Sequence, residues 1–272
     1  MPECNYDCDH CGSKDGCTEI LKAKLNDRSS IKKVIGVLSG KGGVGKSYIT
    51  SLLGVYLSRR GYKVGILDSD ITGPSIPKAF GIKEKAYGED NLIYPLVSKG
   101  GIKLMSSNFL LENDADPIVW RGPLLGNIVK QFYEDVLWED LDYLLIDMPP
   151  GTGDVALTIF QTLPVDELII VTSPQDLVSL IVTKAIKMAE MMKINVLGVV
   201  ENMSYLVCPD CNKKIQLFGE SNIDEFAKKL NFKILGKLPL ISDNTKLVDE
   251  GDIEKVSFKE FDEFVNNVLG GK

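Results

Sequence analysis

Short apolar runs alternate with longer amphipathic stretches from Ile31 to the end of the chain. The runs at 34–39, 63–68, 102–106, 143–147, 167–172, 196–200 and 233–238 are predicted strands. Between them, 46–59 is a predicted helix and a second opens at Pro123. A third follows Thr172-Ser173-Pro174-Gln175, with Leu177, Leu180, Ile181, Ala185 and Met188 at core spacing. Strand followed by helix, repeated, predicts an α/β fold: a mainly parallel sheet covered by helices on both faces, in one domain over 31–272. The last stretch, 256–269, places Phe258, Phe261, Phe264, Val265, Val268 and Leu269 on one helical face. Its polar side is acidic (Glu260, Asp262, Glu263), whereas a membrane-surface helix prefers lysine and arginine, so this helix is expected to pack against the sheet.

The first strand runs into Gly36-Val37-Leu38-Ser39-Gly40-Lys41-Gly42-Gly43-Val44-Gly45-Lys46-Ser47 and then into the first helix. This is G-x-x-x-x-G-K-[ST] in the strand-loop-helix context that a phosphate-binding loop requires. Glycines let backbone N–H groups converge on phosphate oxygens, and the helix start adds unpaired donors and a positive dipole end. Gly40, Lys41, Gly42, Gly43, Val44, Gly45, Lys46 and Ser47 are therefore the expected nucleotide cradle. Lys46 supplies charge to the β- and γ-phosphates, and Ser47 a hydroxyl ligand for Mg²⁺.

Nucleotide sites in such folds lie at the carboxyl ends of the strands, so polar strand-end residues are the next candidates. Asp68 and Asp70, in Leu67-Asp68-Ser69-Asp70, are placed to act on Mg²⁺ and to orient or activate the attacking water. The plainer alternative is that they cap the turn at Gly73-Pro74-Ser75. Tyr143-Leu144-Leu145-Ile146-Asp147 has the form of a Walker B strand, with Asp147 holding Mg²⁺ through water. It leads into Met148-Pro149-Pro150-Gly151-Thr152-Gly153-Asp154, where the Gly151 N–H is a candidate γ-phosphate sensor. Trp120 of Trp120-Arg121-Gly122-Pro123 is expected to pack under the following helix. Asn202, after Val200-Glu201, offers a donor and an acceptor suited to an adenine edge, and the loop at Pro239 could line the base's other side.

Composition narrows the classes. The chain has 272 residues, 44% apolar, with a net charge of -7 that argues against non-specific nucleic-acid binding. No apolar run reaches the length of a membrane span and the N-terminus lacks signal-peptide features, so a soluble, cytoplasmic protein is expected. The six cysteines are then better metal ligands than disulfide partners. Residues 1–30 form a separate cysteine-rich segment with almost no apolar content. There Cys4, Cys8, Cys11 and Cys17 suit a Cys₄ zinc, an iron–sulfur cluster or an unfolded tail with reactive thiols, and spacing does not choose; His10 is expected to be solvated. Cys208 and Cys211, in Cys208-Pro209-Asp210-Cys211, supply only two sulfurs per chain. A two-fold contact between copies completes four, and a zinc ribbon with Cys8 and Cys11 is the alternative.

Gly40-Lys41-Gly42-Gly43-Val44-Gly45-Lys46-Ser47 resembles the deviant phosphate loop of the MinD, ParA and nitrogenase-iron-protein superfamily. That resemblance implies an ATP-dependent homodimer in which Lys41 reaches the nucleotide of the facing subunit, and an adenine contact for Asn202. Together with Asp68–Ser75, Trp120–Pro123, Asp147–Asp154, Glu201–Met203 and Cys208–Cys211, the chain closely resembles the Mrp/ApbC group of iron–sulfur cluster carrier ATPases. The group implies ATP hydrolysis, a [4Fe–4S] cluster bound between subunits by Cys208 and Cys211, and transfer to apo-proteins. Cys8, Cys11 and Cys17 resemble the extension of the eukaryotic cytosolic branch, which binds a second cluster; Cys4 lies closer to Cys8 than that pattern has it. Two other readings are an ATP-driven reductase of the nitrogenase-iron-protein type and a zinc-binding partitioning ATPase.

Overall fold

A computed structural model describes residues 22–70, 73, 75–110, 122–174, 178–208 and 210–270. The elements are β1 (Ser30–Ser39), α1 (Lys46–Arg59), β2 (Val64–Asp68), α2 (Ile76–Ala79), β3 (Tyr87–Glu89), β4 (Leu92–Tyr94), β5 (Leu96–Val97) and β6 (Lys103–Ser106). They continue with α3 (Gly122–Glu134), β7 (Asp140–Asp147), α4 (Asp154–Thr162), β8 (Glu167–Thr172), α5 (Val178–Met191), β9 (Asn195–Val207) and β10 (Lys214–Ile215). The C-terminal part holds α6 (Ile223–Leu230), β11 (Ile234–Leu240), α7 (Ser242–Asp249) and α8 (Lys259–Val268).

One sheet runs in the order β10-β9-β8-β1-β7-β2-β6-β5, with β11 also paired to β9. Its central pairings are parallel; β5 and β10 join antiparallel. Side chains of a strand alternate between faces. Val34, Leu144 and Ile146 accordingly join a core under α3, α4 and α5, while Ile35, Val37 and Leu145 join another under α1, α2 and α8. Phe261, Phe264, Val265 and Val268 of α8 are buried in the second core, as the apolar stripe predicts. The fold is the mostly parallel, doubly covered sheet of a phosphate-loop NTPase.

Two details differ from the sequence reading. A small hairpin, β3–β4, turns at Asp90 and Asn91, both at positive φ, in a stretch too short and polar to show a strand period. The strand expected to end near residue 200 continues as β9 to Val207, because β11 holds it as far as Leu206 and β10 pairs with Leu206 and Val207. Asn202 is therefore inside a strand, not at its end.

Close packing makes some glycines obligatory. A Cβ on Gly65 of β2 would lie 2.6 Å from Leu141 Cδ1 and 3.0 Å from the ring of Trp138, whose side chain is fully buried. Gly65→Ala is expected to destabilise the fold by about 1–3 kcal/mol, read as a lower denaturant midpoint with an unchanged slope.

Candidate functional site

β1, β7, β2 and β6 lie side by side in parallel, and a cleft of about 340 Å³ opens at their carboxyl ends, lined there by Ser39 of β1 and by Asp70 just past β2. Ser39, Gly42, Gly43, Gly45, Lys46, Ser47, Tyr48, Asp70, Gly73, Ser75 and Pro150 are among its lining residues. The glycines of the loop serve different ends. A Cβ on Gly42 or Gly43 would meet nothing, so these two leave the cleft open to a ligand. At Gly40 a Cβ would fall 1.3 Å from Ile181 Cγ2 of α5, so that glycine answers to packing. Gly45 sits at φ 83° as the residue before α1, and a Cβ there would lie 2.3 Å from Asn202 Nδ2.

Asp147, fully buried at the end of β7, organises the cluster. Its Oδ2 is 2.7 Å from Lys46 Nζ and accepts a 2.5 Å hydrogen bond from Ser47 Oγ. Its Oδ1 is 2.7 Å from Thr50 Oγ1. Register pairs Asp147 of β7 directly with Asp68 of β2, which in turn lies opposite Ser106 of β6. Asp68 accepts from the Asp70 N–H at 3.1 Å and from Ser106 Oγ at 3.3 Å. Burial first, then the negative charge of Asp147, pushes the Asp68 carboxyl well above the usual range. The arrangement offers two adjacent carboxyl groups, a hydroxyl and an ammonium at the floor of the glycine loop. That is a donor set for hard cations and phosphate.

Lys41 is half-buried in the loop, and its carbonyl accepts from Ser39 Oγ at 3.0 Å. Gly151, at φ 94°, donates its N–H to the Ser39 carbonyl at 2.7 Å, so a γ-phosphate would have to compete for that group. The Asn202 amide donates to the Val44 carbonyl at 2.9 Å and thus braces the phosphate loop from β9. Pro239 is buried opposite Tyr205 in β11 and is not among the residues lining the cleft. Two participants went unnoticed in the sequence: Thr50 and Ser106. Thr50 was within reach, since it lies one helical turn after Lys46 and shares its face.

Cys208 and Cys211 stand apart from the cleft, just past the end of β9. The Cys208 N–H bonds the Lys213 carbonyl at 3.0 Å and the Asn212 N–H returns to the Cys208 carbonyl at 2.9 Å, forming a tight knuckle. Cys208 is half-buried and Cys211 exposed. Backbone N–H groups of Asp210 and Cys211 hold the Cys208 thiol below its ordinary value, which favours the thiolate that metals bind. Cys4, Cys8, His10, Cys11, Cys17, Trp120, Arg121, Gln175, Leu177 and Pro209 lie outside the described residues.

A family model described as ParA, NUBPL iron-transfer P-loop NTPase, matches residues 30–269. The chain belongs to this family. Within it, the iron-sulfur cluster carrier protein of Clostridium perfringens is 46% identical over 266 residues, covering 91% of this chain and 93% of the relative. The carrier protein of Methanocaldococcus jannaschii is also 46% identical, covering 92% and 90%. A solved nucleotide-binding protein in complex with ADP from Archaeoglobus fulgidus is 44% identical with a TM-score of 0.78, over 86% of this chain and 92% of that one. The cell division ATPase MinD of Pyrococcus furiosus, 21% identical with a TM-score of 0.62, covering 88% and 97%, shares the fold.

The contact from Thr50 to the buried Asp147 gives the site a direct test. Thr50→Val keeps the shape and removes the hydroxyl, leaving one carboxylate oxygen short of a donor. A loss of about 1–3 kcal/mol is expected in chemical denaturation, with Thr50→Ser close to wild type.

Proposed function

We propose that this chain is an ATP-dependent carrier of iron–sulfur clusters: two copies hold one [4Fe–4S] cluster as cargo through Cys208 and Cys211 and pass it to apo-proteins. The observation that carries the reading is an accessible two-thiol knuckle on a phosphate-loop NTPase, in a family whose relatives are named iron-sulfur cluster carriers. Thiolate clusters take four sulfurs, so two per chain fit a site shared across a two-fold axis. Val207, Ile215, Leu217 and Phe218, exposed on and beside β10, give that face an apolar surface for contact.

At the nucleotide site, Lys46 leaves Asp147 to meet the β- and γ-phosphates, and the N–H groups of Gly42 to Lys46 cradle them. Ser47, Asp68 and Asp147 are the groups that would hold Mg²⁺, which when bound offsets the charge on the phosphate oxygens. Asp70 orients the attacking water, and Lys41 reaches the nucleotide of the partner copy. Gly151 exchanges Ser39 for the γ-phosphate, while Asn202 contacts the base. Cys4, Cys8, Cys11 and Cys17 bind a second cluster from the stretch ahead of Lys22; residues 23–30 belong to the folded domain, with Ala23 buried in its core and Ser30 opening β1. No described helix is long and apolar enough to cross a membrane, and the proposed setting is the cytoplasm.

Anaerobic reconstitution with iron and sulfide tests the proposal. The double variant Cys208→Ala/Cys211→Ala should lose one cluster per two chains, read as iron and sulfide content and visible absorbance. Full iron content in that variant would sink the shared site. Lys46→Ala should abolish ATP binding measured by calorimetry, and retained affinity would refute the assignment of the cradle.

A further inference from the structure

Glu201 is almost fully buried in β9, and the phosphate-site cluster makes no use of it. A carboxyl group so placed costs stability unless both oxygens are satisfied. Both are: Ser204 Oγ donates to Oε2 at 2.6 Å, and Ser221 Oγ donates to Oε1 at 2.5 Å. These serines stand on the two arms of one excursion. Ser204 lies on the strand leading out to Cys208, and Ser221 lies where the chain returns to α6, its Oγ accepting the Ile223 N–H at 3.3 Å. Glu201 thus closes the base of the segment that bears the cysteine pair.

The strand is deformed to allow this. β9 takes four steps from Glu201 to Tyr205 while β11 takes two, from Lys237 to Pro239. The extra residues bulge around Met203, whose φ of 56° is in the left-handed region. A bulge re-aims side chains and is over-represented beside functional sites. Here it accompanies the return of the Ser204 hydroxyl to Glu201.

The next residue grips the other site. Neighbours in a strand point to opposite faces. Val199, on the Glu201 side, belongs to the core that holds Ile223, and Val200, on the Asn202 side, to the core that holds Val44 of the phosphate loop. Asn202 donates to the Val44 carbonyl and abuts Gly45. Two consecutive residues, held between β8 at Thr172 and β11 at Lys237, therefore touch the nucleotide loop and the cysteine excursion.

We propose that Glu201 is the positioning residue of the cysteine pair, and that with Asn202 it ties the geometry of Cys208 and Cys211 to the state of the phosphate loop. This rests on the carrier reading for its purpose, and its test does not need a cluster. Cluster-free, reduced, full-length protein is alkylated with N-ethylmaleimide, and the rate at Cys208 and Cys211 is followed by peptide mass spectrometry with and without Mg–ATPγS. In wild type the nucleotide should change that rate by about fivefold or more, the lower end of ordinary coupling between sites. Glu201→Ala should bring the ratio to about one with Mg–ATPγS affinity unchanged within about twofold, on the same principle of separable coupling. Glu201→Gln, which keeps an acceptor, should recover part of it. A merely structural role would lower the melting temperature and leave the ratio intact, and that result overturns the proposal. So does a wild type that binds nucleotide with no change in alkylation. Should Glu201→Ala fail to fold, Ser221→Ala removes the clasp on the returning arm, together with the acceptor of the Ile223 N–H, and leaves Glu201 in place. A reduced ratio there supports the proposal and an unchanged one overturns it. A nucleotide- and Glu201-dependent rate in protein that never takes up iron would sink the carrier reading and leave this coupling standing.

Discussion

A fully buried carboxylate at the end of a central strand is the constraint on which the rest of the site depends. Asp147 can stay there only with opposite charge and hydrogen bonds close by. Lys46, Ser47 and Thr50 supply them from the first turns of α1, so satisfying Asp147 fixes the rotation of that helix and the height of the loop before it. Asp68 is drawn in by register alone, as the residue opposite Asp147 in the neighbouring strand. The same oxygens and ammonium are what a magnesium nucleotide requires. Binding is then an exchange of partners within a polar cluster already assembled, with little to reorganise.

The glycine loop shows why a motif can be right for more reasons than the motif contains. Gly42 and Gly43 keep the cleft clear, which is the role the pattern suggests. Gly40 makes room for Ile181, and Gly45 makes room for the amide of Asn202. Two of the four glycines thus answer to α5 and β9, elements far away in sequence. The loop is consequently gripped from both sides by parts of the protein that do not touch phosphate, and this makes it a point where distant segments meet.

Much of the fold was legible because buried parallel strands leave short apolar runs and helices leave stripes. The strands at Val34 and Tyr143 and the stripe from Phe261 to Val268 all carry that signature. The hairpin at Tyr87–Tyr94 left none, being exposed or half-buried with no consistent alternation. The continuation of β9 was also hidden, since Glu201, Asn202 and Ser204 are polar and a polar run reads as a loop. What keeps them in a strand is pairing to β11 and β10, which no local pattern reports. In the site, Lys46, Ser47, Asp68 and Asp147 stand at positions that strand-loop-helix logic singles out. Thr50 needed only helical spacing, whereas Glu201 needed the bulge at Met203, a matter of tertiary structure.

The polarity of that stretch is itself informative. A strand between two sheet neighbours is usually filled with apolar residues, and β9 obeys this through Val199 and Val200 before Glu201, Asn202 and Ser204 interrupt the pattern on the way to Cys208. Buried polar groups stabilise little compared with well-packed apolar ones, so their presence points to a requirement for defined geometry. The metal cargo proposed for Cys208 and Cys211 would impose such a requirement. Two thiols must be held at fixed separation and yet remain open enough to give up what they hold. A knuckle placed at the surface, clasped at its base by a buried carboxyl group, meets both demands at once. Sulfurs sunk in the core would retain their metal, and sulfurs on a free loop would not present a constant geometry to it.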